Sequence, residues 1–200
     1  MLDHLVYAVP DLAAAVADFT ARGYPPSPGG RHRERGTHNA LLRLGPRNYL
    51  ELLAVDPDTA VPPPRWMGVD LIAEAQLTRW ARSAGATITR EAGLLNAVVQ
   101  AGSRELGDGR TLRWRLTDPG SSPAVAVVPF LIDWGGPDAP HPTDDLPDLG
   151  LRLTALRLTH PDPPAVTAVL RALGEEPAVY AGPRPALHAT LSGPRGTIEL

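Results

Sequence analysis

Short apolar runs alternate with proline and glycine breaks along the chain, and the first run is extended. Residues 2–9 (LDHLVYAV) mix β-branched and aromatic side chains and stop at Pro10, which predicts a strand. Asp11 can then accept orphan backbone N–H groups at a helix start. Residues 12–22 place Leu12, Val16 and Phe19 on one helical face, and Gly23 ends the run. Residues 25–36 are rich in Pro, Gly and Arg and read as loop, with a strand hidden in or near 29–35. Residues 37–44 and 48–55 are apolar strands around Gly45-Pro46-Arg47, a hairpin signal. The predicted order is therefore β-α-(β)-β-β.

After a proline-rich joint at 61–64 a similar order is expected. Residues 66–72 suggest a strand, and residues 74–83 a helix with Leu77 and Trp80 a turn apart, stopped by Gly85. Residues 86–89, 94–100, 111–117 and 124–134 are further candidate strands, with Gly107-Asp108-Gly109 read as a hairpin turn. Residues 135–150 form a second linker. The last stretch gives a strand at 151–159, a helix at 163–172 opened by Pro163 and closed by Gly174, and strands at 177–181, 186–192 and 197–200. Letters repeat as well as patterns. GPRNYLEL (45–52) aligns without a gap on GPRGTIEL (193–200), and Pro10-Asp11 on Pro161-Asp162. An internal repeat of roughly 50–70 residues follows.

Composition narrows the chemistry. The 200 residues carry Lys+Arg 19 against Asp+Glu 22, a net charge of −3, and no cysteine. Disulfides, thiolate zinc sites and thiol nucleophiles are excluded. Every basic residue is arginine, so a Walker lysine, a Schiff-base lysine and a Ser–Lys dyad are excluded too. Weak negative charge with scattered arginines argues against nucleic acid. There is no G-x-S-x-G elbow and no strand-adjacent G-x-G-x-x-G. The Pro, Gly, Ala and Arg usage fits GC-rich, bacterial coding. The opening residues lack a basic leader, and no apolar run nears the roughly 18 residues of a membrane span. A cytoplasmic protein without a membrane partner is expected.

LDHLVYAVPDL, then GGRH, GTHNALLRLG and YLELLA, then PFLIDWGG before HP, together resemble the glyoxalase-like branch of the vicinal oxygen chelate superfamily. The resemblance covers roughly residues 1–142. It implies an α+β fold of tandem βαβββ units whose bent sheets form a half-open barrel; the repeat adds a third βαβββ-like unit at the C-terminus. The expected division is a domain over 1–134 (units 1–55 and 66–134), a linker over 135–150 and a unit over 151–200. It also implies a divalent metal (Fe, Mn, Ni or Zn) in the cup, holding a substrate through two adjacent oxygens.

His4 and Glu51 match the two metal-ligand positions of one unit. Alternation puts His4, Val6 and Ala8 on one strand face and Tyr49, Glu51 and Leu53 on another. A glutamate inside YLELLAV is costly to bury unpaired, and a cation or an arginine such as Arg31 or Arg43 would offset that cost. The rest of a two-His/two-Glu set is missing. Ala155 stands at the His4 position of the third unit, which keeps only Glu199. In the middle unit Trp66 falls near the His4 position, and the last strand offers only Asp133. Asp133, His38, His32 and His141 are each able to supply a further ligand. Glu51 and His38 are the candidate catalytic residues; His32, His38 and Trp134 are the candidate substrate contacts. Two readings stay open: a metal-dependent lyase, isomerase or dioxygenase acting on a small molecule, and a metal-free protein that sequesters a small aromatic or antibiotic. Bent sheets pair through apolar faces, so the odd third unit suggests a homodimer.

Overall fold

The computed structural model describes residues 1–105, 110–136 and 138–200. The predicted Gly107-Asp108-Gly109 turn lies outside them. The first unit follows the expected order: β1 (Leu2–Ala8), α1 (Leu12–Ala21), β2 (Ser27–His32), β3 (Thr37–Gly45) and β4 (Asn48–Val55). Asp11 caps α1, its carboxylate accepting from the Ala14 amide at 3.0 Å, and Gly23 adopts φ +83 beyond the end. The strand hidden in the glycine-rich loop is β2.

The second unit differs from its predicted elements. Residues 76–83, expected as helix, form strand β5 (Gln76–Ser83). A register shift against β1 falls between Arg79 and Leu77, so Thr78 is an extra residue in the ladder. The bulge brings Leu77 and Trp80 to the same core, and that three-residue spacing imitates a helix. The helix comes later, as α2 (Ile88–Leu94), where strands were expected; Trp66–Gly68 is a 3-10 turn. Then come β6 (Val99–Glu105), β7 (Thr111–Thr117) and β8 (Phe130–Asp133), the last far shorter than the apolar run around it.

These strands form one sheet in the order β2-β3-β4-β1-β5-β8-β7-β6, the second unit repeating the first about the antiparallel β1/β5 pair. In each unit the first strand runs parallel to the last: β1 with β4, β5 with β8. The sheet curls until its edges approach, with Arg104 of β6 close above Gly30 of β2.

The third unit has β9 (Arg152–His160), α3 (Pro163–Ala172), β10 (Val179–Ala181), β11 (Ala186–Gly193) and β12 (Gly196–Glu199). Its element order matches the repeat, but its strand order is β10-β9-β11-β12. Glu199 on β12 is therefore one strand removed from β9, and its exposed carboxylate accepts from the Thr190 hydroxyl at 2.8 Å. The GPR likeness reflects two hairpins and no second ligand pair. Leu158, Leu187, Ala189, Leu191 and Ile198 of this sheet share one buried core with Leu5, Leu50, Leu52 and Trp80 of the barrel's outer face. The apolar face that suggested a dimer is covered by the same chain. No helix among the described residues is long and apolar enough to cross a membrane.

Candidate functional site

Alternation along the barrel strands separates two environments. Leu5, Leu50, Leu52, Ala40 and Leu42 face outward into the shared core. Val6, Ala8, Leu53, Phe130 and Ile132 face inward, and on the same side lie His4, Asn39, Tyr49 and Glu51. The inward polar residues surround a small hollow of ≈ 30 Å³ roofed by Trp66, Trp114 and Trp134. Beyond His32, Arg104 and the tryptophans opens a cleft of ≈ 1170 Å³. Its rim carries the exposed Arg33, Glu34 and Arg113, a mouth that stays net positive on a chain of net charge −3.

His4 is held from behind. Its Nδ1 lies 2.8 Å from Asp3 Oδ1, and its ring is stacked on Tyr49 at 4.6 Å and edge-on to Phe130 at 5.4 Å. A carboxylate can only accept, so neutral His4 donates from Nδ1 and keeps its Nε2 lone pair. That Nε2 lies 3.9 Å from Glu51 Oε2. The other Glu51 oxygen accepts from Asn39 Nδ2 at 2.5 Å, and Asn39 Oδ1 lies 3.3 Å from Arg104 Nη1.

Asp3 is itself enclosed. Trp134 Nε1 donates to Oδ2 at 3.1 Å, and His141 Nε2 stands 3.5 Å from the same oxygen. Burial pushes the Asp3 carboxyl up, but the His141 and His4 imidazoles outweigh that and hold it at about 2. His141 accepts the Thr143 amide at Nδ1 (3.2 Å), and the Thr143 hydroxyl donates to the Pro46 carbonyl (2.7 Å). The segment read as a linker thus ties down the floor of the site. Burial also pushes the His32 imidazole down, favouring its neutral form; its Nδ1 meets the Thr37 hydroxyl at 3.0 Å.

The structure thus gathers His4, Glu51, His32 and Trp134. It does not bring His38 with them. His38 lies between Asn39 and Thr37 on β3, on the opposite face to Asn39, where Asp56, Arg31 and Asp58 are its charged neighbours. The residue beside it, Asn39, holds Glu51. Sequence reasoning also passed over Asp3 and Arg104. Strict alternation from the inward Leu41 would have marked Asn39, whereas nothing local marks Arg104, which meets the site from the far sheet edge.

The second unit has no matching donors. Val6 pairs with Glu51 as Ala81 pairs with Phe130, so Phe130 stands where Glu51 does and Arg79, two residues before Ala81, where His4 does. Trp66, the sequence-based match for His4, lies on the 3-10 turn, its Nε1 donating to Asp118 at 2.9 Å. Arg79 is turned onto the carbonyls of Thr78, Ser122 and Ala124. Asp133 is taken by Arg115 at 2.6 Å and the Gly135 amide at 2.9 Å. Among the described residues no group of three or more His, Cys, Asp or Glu could hold a metal ion. His4 and Glu51 are two donors, and a catalytic ion ordinarily takes three from the protein. The residues do not fit a complete metal centre.

A family model described as glyoxalase-like domain matches residues 2–174. No curated protein matches the chain. Among solved structures, a hypothetical protein from Staphylococcus aureus is similar at 14% identity and TM-score 0.67, over 99% of this chain and 97% of that one. A methylmalonyl-CoA epimerase from Streptomyces coelicolor overlaps 70% of this chain and 98% of its own at 19% identity and TM-score 0.46. The epimerase from Mycobacterium tuberculosis overlaps 66% and 84% at 16% identity and TM-score 0.43. The first likeness shows the fold.

Proposed function

Since the chain belongs to the glyoxalase-like domain family of the vicinal oxygen chelate superfamily, we propose that it is a small-molecule enzyme moving a proton at a carbon beside a carbonyl. The observation that carries this reading is the buried Asp3–His4 pair, which turns a bare Nε2 toward Glu51 across 3.9 Å. In this reading His4 Nε2 takes the proton from carbon, and the released electron pair moves into the adjacent carbonyl. Asp3, ionised throughout, stabilises the imidazolium. Glu51, whose Oε1 is fixed by Asn39 and whose Oε2 stands beside His4 Nε2, enters this step as the carboxylic acid and gives its Oε2 proton to the enolate, leaving as carboxylate while His4 leaves as imidazolium. Trp66, Trp114 and Trp134 keep bulk water from the pair. The metal expected from the resemblance would have only His4 and Glu51 as protein ligands, and no step here runs through it.

The test is deuterium uptake from D2O, followed by NMR, into a panel of small carbonyl compounds. The wild-type protein is expected to exchange the hydrogen next to the carbonyl. His4→Gln and Glu51→Gln should each slow this by about 10²–10⁴-fold, the usual worth of a positioned acid or base. Exchange undiminished by both substitutions would overturn the reading.

A further inference from the structure

Arg104 is a buried guanidinium that faces this site with no ionic partner among the described residues. It is 9% exposed and lines both the inner hollow and the open cleft. Its Nη1 reaches Asn39 Oδ1 only at 3.3 Å, and its Nε has no hydrogen-bond partner. No carboxylate among the described residues lies within ion-pairing distance of it; burial works against its charge, and the more distant Glu51 offsets only part of that. Burying a guanidinium with an idle edge is costly unless something completes it.

Space has been cleared for this arrangement. A Cβ on Gly30 would sit 2.6 Å from Arg104 Cδ, and one on Gly29 would sit 2.0 Å from Asn39 Oδ1. The two glycines of β2 let the Asn39 amide and the Arg104 stem lie flat under the sheet edge. With Nη1 turned to Asn39, the remaining edge of the guanidinium is Nε with Nη2; Nε is unpartnered and sealed from solvent against Gly30, so a ligand reaches it by a small shift of the side chain. That edge offers two parallel N–H donors, the spacing that matches the two oxygens of one carboxylate.

We infer that Arg104 is the anchor for a carboxylate on the ligand, and that the ligands are small carboxylic acids held at the junction of hollow and cleft. This rests on the proposed function for what happens next: the carbons beyond the carboxylate enter the hollow toward His4 and Glu51. A hollow of ≈ 30 Å³ admits only a small group, so any larger part of the ligand extends into the cleft. The exposed Arg33 and Arg113 steer acids inward, while Arg104 binds.

Calorimetric titration with pyruvate, its uncharged methyl ester and methylphosphonate tests the assignment. Wild type is expected to bind pyruvate in preference to the ester, and a planar carboxylate in preference to the tetrahedral anion. Arg104→Met should weaken pyruvate binding about tenfold or more, the worth of a charge-assisted pair. Arg104→Lys, with the charge but not the fork, should fall between, and Arg171→Met, at an exposed arginine of α3 outside hollow and cleft, should stay near wild type. If Arg104→Met fails to fold, the Arg104→Lys titration and the shift of the wild-type Arg104 Nε–H resonance on adding pyruvate decide the matter. Equal binding by wild type and the Arg104 variants, tighter binding of methylphosphonate, an unmoved Nε–H signal, or no saturable binding of pyruvate would each overturn the assignment. Binding that depends on Arg104 without deuterium exchange would support the anchor and contradict the proton-transfer reading; exchange indifferent to Arg104 would do the reverse.

Discussion

The two halves of the barrel share one strand plan and spend it differently. In the first unit, the paired strands β1 and β4 put an imidazole and a carboxylate into the cup, each with its own buried partner. In the second, the corresponding positions hold Arg79, which ties down the 122–124 backbone, and Phe130, which packs against His4. The difference separates scaffold from chemistry: the duplicated fold uses both halves of its sheet to close a cavity, but the proposed proton-transfer pair comes from only one of them.

That contrast predicts opposite phenotypes. The largest effect falls in the first unit, where Asp3→Asn should cost about 10²–10⁴ in exchange rate by removing the acceptor that holds His4 Nδ1–H. Asn offers its amide N–H as well as its carbonyl, so His4 loses its enforced tautomer; retained exchange in this variant would erase the distinction between the halves. In the second unit Arg79→Leu should leave the Ser122 and Ala124 carbonyls without their donor, remove one of the two donors to the Thr78 carbonyl, and lower unfolding free energy by about 3 kcal/mol, read by denaturant melts. Deuterium exchange per folded molecule should hardly change. An Arg79 variant with native stability and lost exchange would invert the comparison.

Acid should act through the first unit as well. Asp3 is held at about 2, below its ordinary value of 3.8. A depressed carboxylate stabilises the fold above its unfolded pKa, and the gain is lost as pH falls through the folded one. Between about pH 4 and pH 2 the wild type should therefore lose about 2 kcal/mol that Asp3→Asn does not lose. Parallel acid curves for the two proteins would show that the Asp3 charge does not stabilise the fold.

Gly30→Ala is the smallest of the changes. It places a methyl group against the Arg104 stem at φ +151. A loss of about 1 kcal/mol is expected, with weakened pyruvate binding. Native affinity would show that Arg104 has room to spare.

Much of the first unit was legible because its strands alternate cleanly and its helix carries its own cap and stop. His4 and Glu51 were visible as polar residues interrupting apolar strands. The second unit was not, because the Thr78 bulge gives a strand the spacing of a helix and the true helix, ITREAGL, has little apolar periodicity. His38 stands out in its strand as a titratable residue, but alternation from the inward Leu41 puts its neighbour Asn39 in the site. Arg104 meets the site through Asn39, 65 residues away, and Asp3 is enclosed by Trp134, 131 residues away. Such contacts leave no trace in local pattern. The third unit repeated the element order of the others, but β11 lies between its first and last strands, which letters alone do not reveal.

The central claim is that Asp3 presents a bare His4 Nε2 to the cup, and the imidazole tautomer tests it without any substrate. Long-range 1H–15N correlation spectra of the histidine-labelled protein, recorded across a pH titration, distinguish the two ring nitrogens. Neutral His4 is expected to carry its proton on Nδ1, with Nε2 at the shift of an unprotonated nitrogen, and Asp3→Asn should mix the tautomers. A neutral His4 protonated on Nε2 in the wild-type protein would contradict the account.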